Sequence, residues 1–174
     1  MAGVVPMTKR NIICVLVCVI ILLLIIVFIP YPQRINKVVP AYIDKENTYT
    51  MSIKAWKLNY LFKTDKIITE IKINSDDEVI FDNSENKVKV PVLYFDNGDT
   101  HIGYISFNYY DSETNSYKAA DIWWDFNKEY LAVITDKFTC VAPAENLEER
   151  ESIINYFEEN NCELRIKNVN ASIC

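Results

Sequence analysis

The single histidine, His101, is the first candidate for acid–base or nucleophilic chemistry. A neutral imidazole can act as the general base for a serine or cysteine nucleophile. The sequence contains neither a GxSxG nor an HExxH motif to accompany it. His101 also follows an Asn97–Gly98 pair, a strong indication of a hairpin turn. We therefore expect His101 at the start of a strand and not in a catalytic triad.

Carboxylates are the second candidate class. Asp121 and Asp125 flank the aromatic pair of "DIWWDF", and two carboxylates about 5–9 Å apart in a cleft could act as the acid and base of a hydrolase. The segment "DNGDT" at residues 96–100 resembles part of a calcium loop but lacks the later bidentate glutamate. Hairpin turns select the same residue types. The sequence therefore predicts no metal and no cofactor, and it leaves a carboxylate-based envelope hydrolase as an alternative function.

Adjacent aromatic residues occur in two predicted strands, at Tyr109–Tyr110 and at Trp123–Trp124. Neighbours in a strand point to opposite faces. Trp124 shares the more apolar face with Ile122 and Phe126, so we expect Trp123 to be exposed between two aspartates. Exposed rings beside carboxylates can stack on sugars or anchor a protein partner. The predicted partner-binding residues are Trp123, Tyr109, Tyr110, Asp121 and Asp125.

The five cysteines fall into two groups. Cys14 and Cys18 lie four apart in an apolar segment, on one face of a predicted helix, as lipid-facing residues or as sites of palmitoylation or pairing between copies. Later in the chain, a disulfide between Cys140 and Cys162 would join the segments that flank a predicted helix and stabilise the fold by about 3 kcal/mol. Free thiols, or a bridge to Cys174, are the alternatives. The spacings include no CxxC, so zinc binding and thiol exchange are not indicated.

An apolar run from Ile12 to Ile29 determines where the candidate residues lie relative to a membrane. It contains eighteen residues without charge, glycine or proline, and an α-helix of that length spans about 27 Å, close to the hydrocarbon thickness of a bilayer. The run exceeds a secretory h-region, and "VFIPYPQ" offers no small-residue cleavage site. We predict an uncleaved transmembrane anchor over residues 11–30 that contacts lipid through residues 12–29.

The orientation of the anchor is predicted from the length of chain on each side. Lys9 and Arg10 precede the run, and Arg34 and Lys37 follow it, so basic residues alone are nearly balanced. The long C-terminal part favours export, as in a signal anchor. We therefore expect residues 1–10 in the cytoplasm and the remainder outside, at the cell membrane.

The segment after the anchor is predicted to be a tether over residues 31–48, because Pro32 and Pro40 disfavour continuation of the helix. After Pro30 lie all 24 acidic residues and 16 of the 18 basic ones, a net charge of −8. Such a surface repels phosphate backbones, so nucleic-acid binding is not expected. The remaining length suffices for one domain, which we place at residues 49–174.

Most of this domain has the two-residue alternation of β-strands. "YTMSIKAWKL" places Met51, Ile53 and Ala55 on one face, and Pro91 indicates an edge strand or a bulge. Hairpins are expected around Asn97–Gly98 and near Asn127. A short strand is expected at residues 162–169.

One amphipathic helix is predicted over residues 145–160, since Asn146 and Glu149 have the spacing of a helix cap. Its apolar stripe comprises Leu147, Ile153, Ile154 and Phe157. The predicted fold is therefore mainly β: an antiparallel β-sandwich-like or curved-sheet domain with one C-terminal helix, preceded by a single transmembrane helix.

These features favour a single-pass, membrane-anchored, extracytoplasmic domain with a non-catalytic binding or assembly role. Its expected partner is a protein or a component of the cell envelope. Besides the hydrolase, a structural subunit of a membrane complex is an alternative, with Cys14 and Cys18 on the face that contacts a neighbour.

Overall fold

The structure is a computed structural model that describes residues 9–43, 48–75, 78–84, 89–97, 100–111 and 114–162. Within these residues the chain forms two helices and ten strands. The helices are α1 (Lys9–Phe28) and α2 (Leu147–Glu159), and the strands are β1 (Tyr31–Tyr42), β2 (Thr48–Asn59), β3 (Lys66–Asn74), β4 (Val79–Asp82), β5 (Lys89–Pro91), β6 (Leu93–Asn97), β7 (Thr100–Asp111), β8 (Ser116–Asp125), β9 (Tyr130–Ile134) and β10 (Thr139–Ala142). The predicted class is confirmed: the chain is mainly β, with one large antiparallel sheet, an apolar N-terminal helix and a helix that follows the last strand. The strand predicted over residues 162–169 falls almost wholly outside the described residues.

Helix α1 has no buried residue, and an eighteen-residue window within it has a mean hydropathy of 3.5. The helix ends at Phe28, two residues before Pro30, because a residue that precedes proline disfavours the helical conformation. The apolar helix predicted for residues 11–30 is present, and its length and composition are sufficient to cross a bilayer.

The predicted tether is wrong for residues 31–42, which form β1 and pair with β2 along its whole length. Proline has no backbone N–H to donate. The two prolines are compatible with this ladder because their backbone nitrogens face the edge of β1 that is turned away from β2. Pro40 accepts a hydrogen bond there from the Ala144 N–H at 3.1 Å, so residues of its parity point their backbone groups away from β2. Pro32, eight residues earlier, has the same parity.

Two predicted hairpins are confirmed. Strands β6 and β7 place Asn97 opposite Thr100, and β8 and β9 are joined by a turn at residues 126–129. The predicted alternation in β2 is also present, with Met51, Ile53 and Ala55 buried. Local turn and period signals therefore determine these elements.

The sheet closes on itself through β5 and β6. Its strands follow the order β4-β3-β2-β1-β10-β9-β8-β7-β6, and β5 pairs with β3. Only Val92 separates β5 from β6, so one bent segment joins the two ends of the sheet. The Val92 N–H donates to the Asp65 carbonyl at 2.9 Å at this bend. Pro91, predicted at an edge strand or bulge, is the last residue of β5. All ten strands belong to one sheet.

Two apolar clusters lie on opposite sides of this sheet. The inner cluster includes Met51, Ile71, Ile105 and Val133. The outer cluster lies under α2 and contains Ile153, Ile154 and Phe157 with Trp123, Ala132 and Val141 of the sheet. Each buried aliphatic or aromatic side chain contributes about 1.5–3 kcal/mol. The curved sheet therefore has a core inside and a second one beneath the helix.

Helix α2 begins as predicted. Asn146 is its N-cap, and the Asn146 Oδ1 accepts a hydrogen bond from the Glu149 N–H at 2.9 Å. Glu149 in turn accepts from the Glu145 N–H at 2.8 Å. Leu147, however, is 50% exposed, so it lies outside the buried part of the predicted stripe.

The predicted Cys140–Cys162 disulfide is absent, and both residues are free, buried thiols. Cys140 belongs to the inner cluster and Cys162 to the outer one, so the sheet separates them. Burial raises the pKa of Cys140 to about 12 and the pKa of Cys162 to about 11. Both are therefore protonated and poorly nucleophilic at neutral pH.

Digestion of the intact chain without reductant tests this arrangement. We expect peptide mass spectrometry to find no peptide pair joined through Cys140 and Cys162. Alkylation of either thiol should be slow in the native chain and fast after denaturation, because both are buried and protonated. A joined peptide pair would contradict the separation of the two sulfurs.

A cleft along the open edge of β1

The candidate site is a cleft beside β1, on the edge that faces away from β2. On this edge β1 pairs with β10 only at Tyr42, opposite Val141. From Tyr31 to Val39 no other strand of the described chain pairs with it. A cavity of about 260 Å³ lies along this stretch. Its lining comprises Gln33, Arg34, Ile35, Asn36, Lys37, Val39, Ile53, Trp124, Phe126, Glu129, Ala142 and Pro143.

Backbone groups of β1 point into this cleft. The even-numbered residues of β1 direct their N–H and C=O groups away from β2, as the bond from Ala144 to Pro40 indicates. Arg34, Asn36 and Val38 share that parity, and within the described chain no strand pairs with them on that edge. Such an edge is a template for another extended chain.

An ion pair crosses the cleft. Lys37 of β1 contacts Glu129 of the β8–β9 turn, and their side chains are 39% and 61% exposed. A pair this exposed contributes about 0–1 kcal/mol, because solvent screens it. The contact can therefore open at little cost when a ligand enters.

Aromatic rings form the floor of the cleft. Trp124 stacks on Phe126 with ring centroids 4.7 Å apart and an interplanar angle of 22°. Gly103 makes room for this pair: a Cβ there would lie 2.7 Å from the Phe126 Cε2 and 2.8 Å from the Val92 Cγ1. The floor is thus apolar, and it depends on the absence of a side chain at position 103.

A charged cluster lies behind Phe126, inside the closed sheet. The Lys57 Nζ is 4.2 Å from the centroid of the Phe126 ring and 3.9 Å from the Asp65 Oδ2. The Tyr94 hydroxyl donates to the same carboxylate oxygen at 2.7 Å. Burial lowers the pKa of Lys57, and the attraction of Asp65 opposes this shift only in part. Lys57 is therefore held as an ion pair with Asp65, at a cost in desolvation, next to the Phe126 ring of the cleft floor.

His101 lies at the start of β7, as predicted, and its ring stacks on Tyr94 with centroids 4.0 Å apart. It thus belongs to the neighbourhood of the Lys57 cluster. Among the described residues no group of three or more His, Cys, Asp or Glu could hold a metal ion.

The predicted exposure of Trp123 is wrong, since its side chain is 7% exposed. Its ring lies 4.8 Å from Tyr104 and 5.2 Å from Phe95, measured between centroids. Trp123 belongs to the outer cluster beneath α2, so the outward face of β8 is covered at this position. Alternation along the strand cannot reveal such a cover.

The two predicted carboxylates are separately bonded. Asp121 accepts from the Tyr104 hydroxyl at 2.7 Å. Asp125, 1% exposed, accepts from the Asn127 and Lys128 N–H groups of its own turn and from the Tyr156 hydroxyl. Four residues along a strand separate their Cα atoms by about 13 Å. This arrangement does not resemble the closely spaced pair that a hydrolase requires.

The two predicted tyrosines lie away from the cleft. Tyr109 is buried against Phe81, with ring centroids 5.0 Å apart. Tyr110 is 41% exposed and contacts Tyr117. The structure therefore brings neither of them to Trp123, and their role in binding stays a prediction.

Sequence reasoning missed the cleft itself. One available signal was Lys57, which continues the inward parity of Met51, Ile53 and Ala55 in β2. A second signal was that Pro32 and Pro40 are an even number of residues apart, so that in a strand both lie on the same edge. The opening beside β1, in contrast, depends on where β10 ends, which is a non-local property.

Comparisons with protein-family models, with curated proteins and with solved structures each found no match.

The lowered pKa of Lys57 predicts a pH effect. Between the folded and unfolded pKa values the unfolded chain binds more protons, so stability rises with pH in that interval, below about 10.4. Methionine does not titrate, so the free energy of unfolding of Lys57→Met should increase less with pH in this interval than that of the unmodified chain. We would measure it by chemical denaturation in detergent at neutral and mildly alkaline pH.

Lys54→Met is the matched control, because Lys54 is exposed on the outward face of the same strand. It should keep the pH dependence of the unmodified chain. An equal pH dependence in Lys57→Met and the unmodified chain would contradict the buried, destabilised charge.

Proposed function

We propose that this protein is a single-pass membrane protein whose β domain lies outside the cytoplasm and binds an extended segment of a protein partner. The segment would add to β1 as a further strand in the cleft. The role is recognition and not catalysis. The observation that carries the proposal is the edge of β1 that no other strand of the described chain pairs with between Tyr31 and Val39, above an apolar floor.

The membrane assignment is supported by α1. All of its residues lack burial within the described chain, and its mean hydropathy is 3.5 over eighteen residues. A helix that is apolar on every side requires lipid or other membrane helices around it. The long chain that follows α1 favours the orientation with the β domain exported.

Strand addition is supported by the backbone of β1. The N–H and C=O groups of Arg34, Asn36 and Val38 can form a new ladder, which gives affinity with little sequence specificity. Pro32 and Pro40 cannot donate to such a ladder. They therefore confine the added strand to the segment between them.

The side chains around the edge indicate what the segment contains. Every second residue of an added strand would face inward, toward Trp124 and Phe126, so apolar residues fit these positions. Arg34 and Lys37 outnumber the single acid Glu129 in the lining. An extended segment with alternating apolar residues and at least one acidic residue fits the cleft best.

Asn36→Pro tests this proposal. A proline at position 36 removes an N–H that faces the cleft but spares the bonds to β2, as Pro32 and Pro40 do. A photoreactive phenylalanine analogue at Gln33, whose exposed side chain lines the cleft, would report partner contact in native membranes. We expect Asn36→Pro to reduce the protein adduct by about tenfold or more.

Asn36→Ala is the matched control, because it keeps the backbone N–H and should keep the adduct. Mass spectrometry should locate the crosslink in an extended segment of the partner. No adduct from position 33, or an equal adduct in Asn36→Pro, would contradict binding by strand addition.

A further inference from the structure

The loop between β2 and β3, residues 60–65, lies beside the end of α1. The final pair of the β1–β2 ladder is Tyr31 with Asn59, and the Asn59 side-chain amide donates to the Tyr31 carbonyl at 3.2 Å. The Lys63 Nζ lies 5.0 Å from the centroid of the Phe28 ring, at the last residue of α1. The loop is therefore fixed beside the end of the helix.

Two large apolar side chains project from this loop. Leu61 is 55% exposed and Phe62 is 78% exposed. Trp56 and Tyr31, on the adjoining strand ends, are also exposed, at 47% and 55%. Trp and Tyr are enriched where a protein meets the headgroups of a bilayer. Exposed apolar groups gathered at one end of a domain mark an interaction surface.

The charges around the loop also suit a lipid surface. Lys63, Lys66 and Lys89 are exposed at this end of the domain, although residues after Pro30 carry a net charge of −8. The acid of the loop, Asp65, is turned inward to Lys57 and Tyr94. Local basic charge on an acidic domain favours contact with anionic headgroups.

We propose that the β2–β3 loop docks on the bilayer and inserts Leu61 and Phe62 among the lipid headgroups. This inference rests on the proposed membrane role of α1. A loop in contact with the last residue of a spanning helix lies at the interface, and apolar side chains enter such interfaces by about 5–10 Å. Docking there fixes the domain against the membrane, so the cleft faces segments that lie close to the bilayer.

Site-specific crosslinking to lipid tests the inference in the full chain. The chain is reconstituted in vesicles of phosphatidylcholine and phosphatidylglycerol, with a photoreactive phenylalanine analogue at position 62. The control position is Tyr117, which is 71% exposed on β8 and belongs to neither α1 nor the loop. We expect about tenfold more lipid adduct at position 62 than at position 117.

A third variant, with the analogue at Ile20, separates the two proposals, because Ile20 lies in the middle of α1 and is 51% exposed. Lipid adducts at position 20 with none at position 62 would overturn loop docking and leave the anchor standing. A protein adduct at position 62 would also overturn it. Loss of the lipid adduct at position 20, with the chain absent from floated vesicles, would overturn the anchor and the docking together.

Discussion

Asp65 holds together the point at which the sheet closes. Its carbonyl accepts from the Val92 N–H at 2.9 Å, and its carboxylate accepts from the Tyr60 N–H and the Tyr94 hydroxyl at 2.8 and 2.7 Å. These bonds connect the β2–β3 loop to the β5–β6 segment, in which β5 pairs with β3 and β6 pairs with β7. Closure there joins the two ends of the sheet. Within the described residues, β1 is left with an open edge from Tyr31 to Val39, because β10 pairs with it only at Tyr42.

The cleft begins close to the end of α1. Gln33, the first residue of the cleft, follows the end of α1 by five residues, which corresponds to about 17 Å along an extended chain. In the proposed arrangement a partner segment would approach along the membrane surface. The same closure that builds the inner core therefore determines where a partner could bind.

Local signals predicted much of the fold: the alternation in β2, the Asn97–Gly98 hairpin and the Asn146 cap depend on neighbouring residues. The other features depend on contacts between residues far apart in the sequence, which local signals do not contain. The prolines in the 31–42 segment disfavour a helix, which is why the sequence predicts a tether there. Proline is nevertheless compatible with a strand edge on which its N–H is not needed for pairing. Trp123 was expected outside because alternation does not reveal that α2 covers its face. The prediction of a disulfide is wrong because Cys140 and Cys162 lie on opposite faces of the sheet. The cleft depends on the lengths of β1 and β10, which no short window contains.

Residue-resolved hydrogen exchange of the full chain in detergent tests the open edge of β1 most directly. The amides of Ile35, Lys37 and Val39 should exchange slowly, because their parity directs them to β2. The amides of Arg34, Asn36 and Val38 should exchange quickly, because they face the cleft. Slow exchange at all six positions would show that another strand covers this edge, and it would contradict the account.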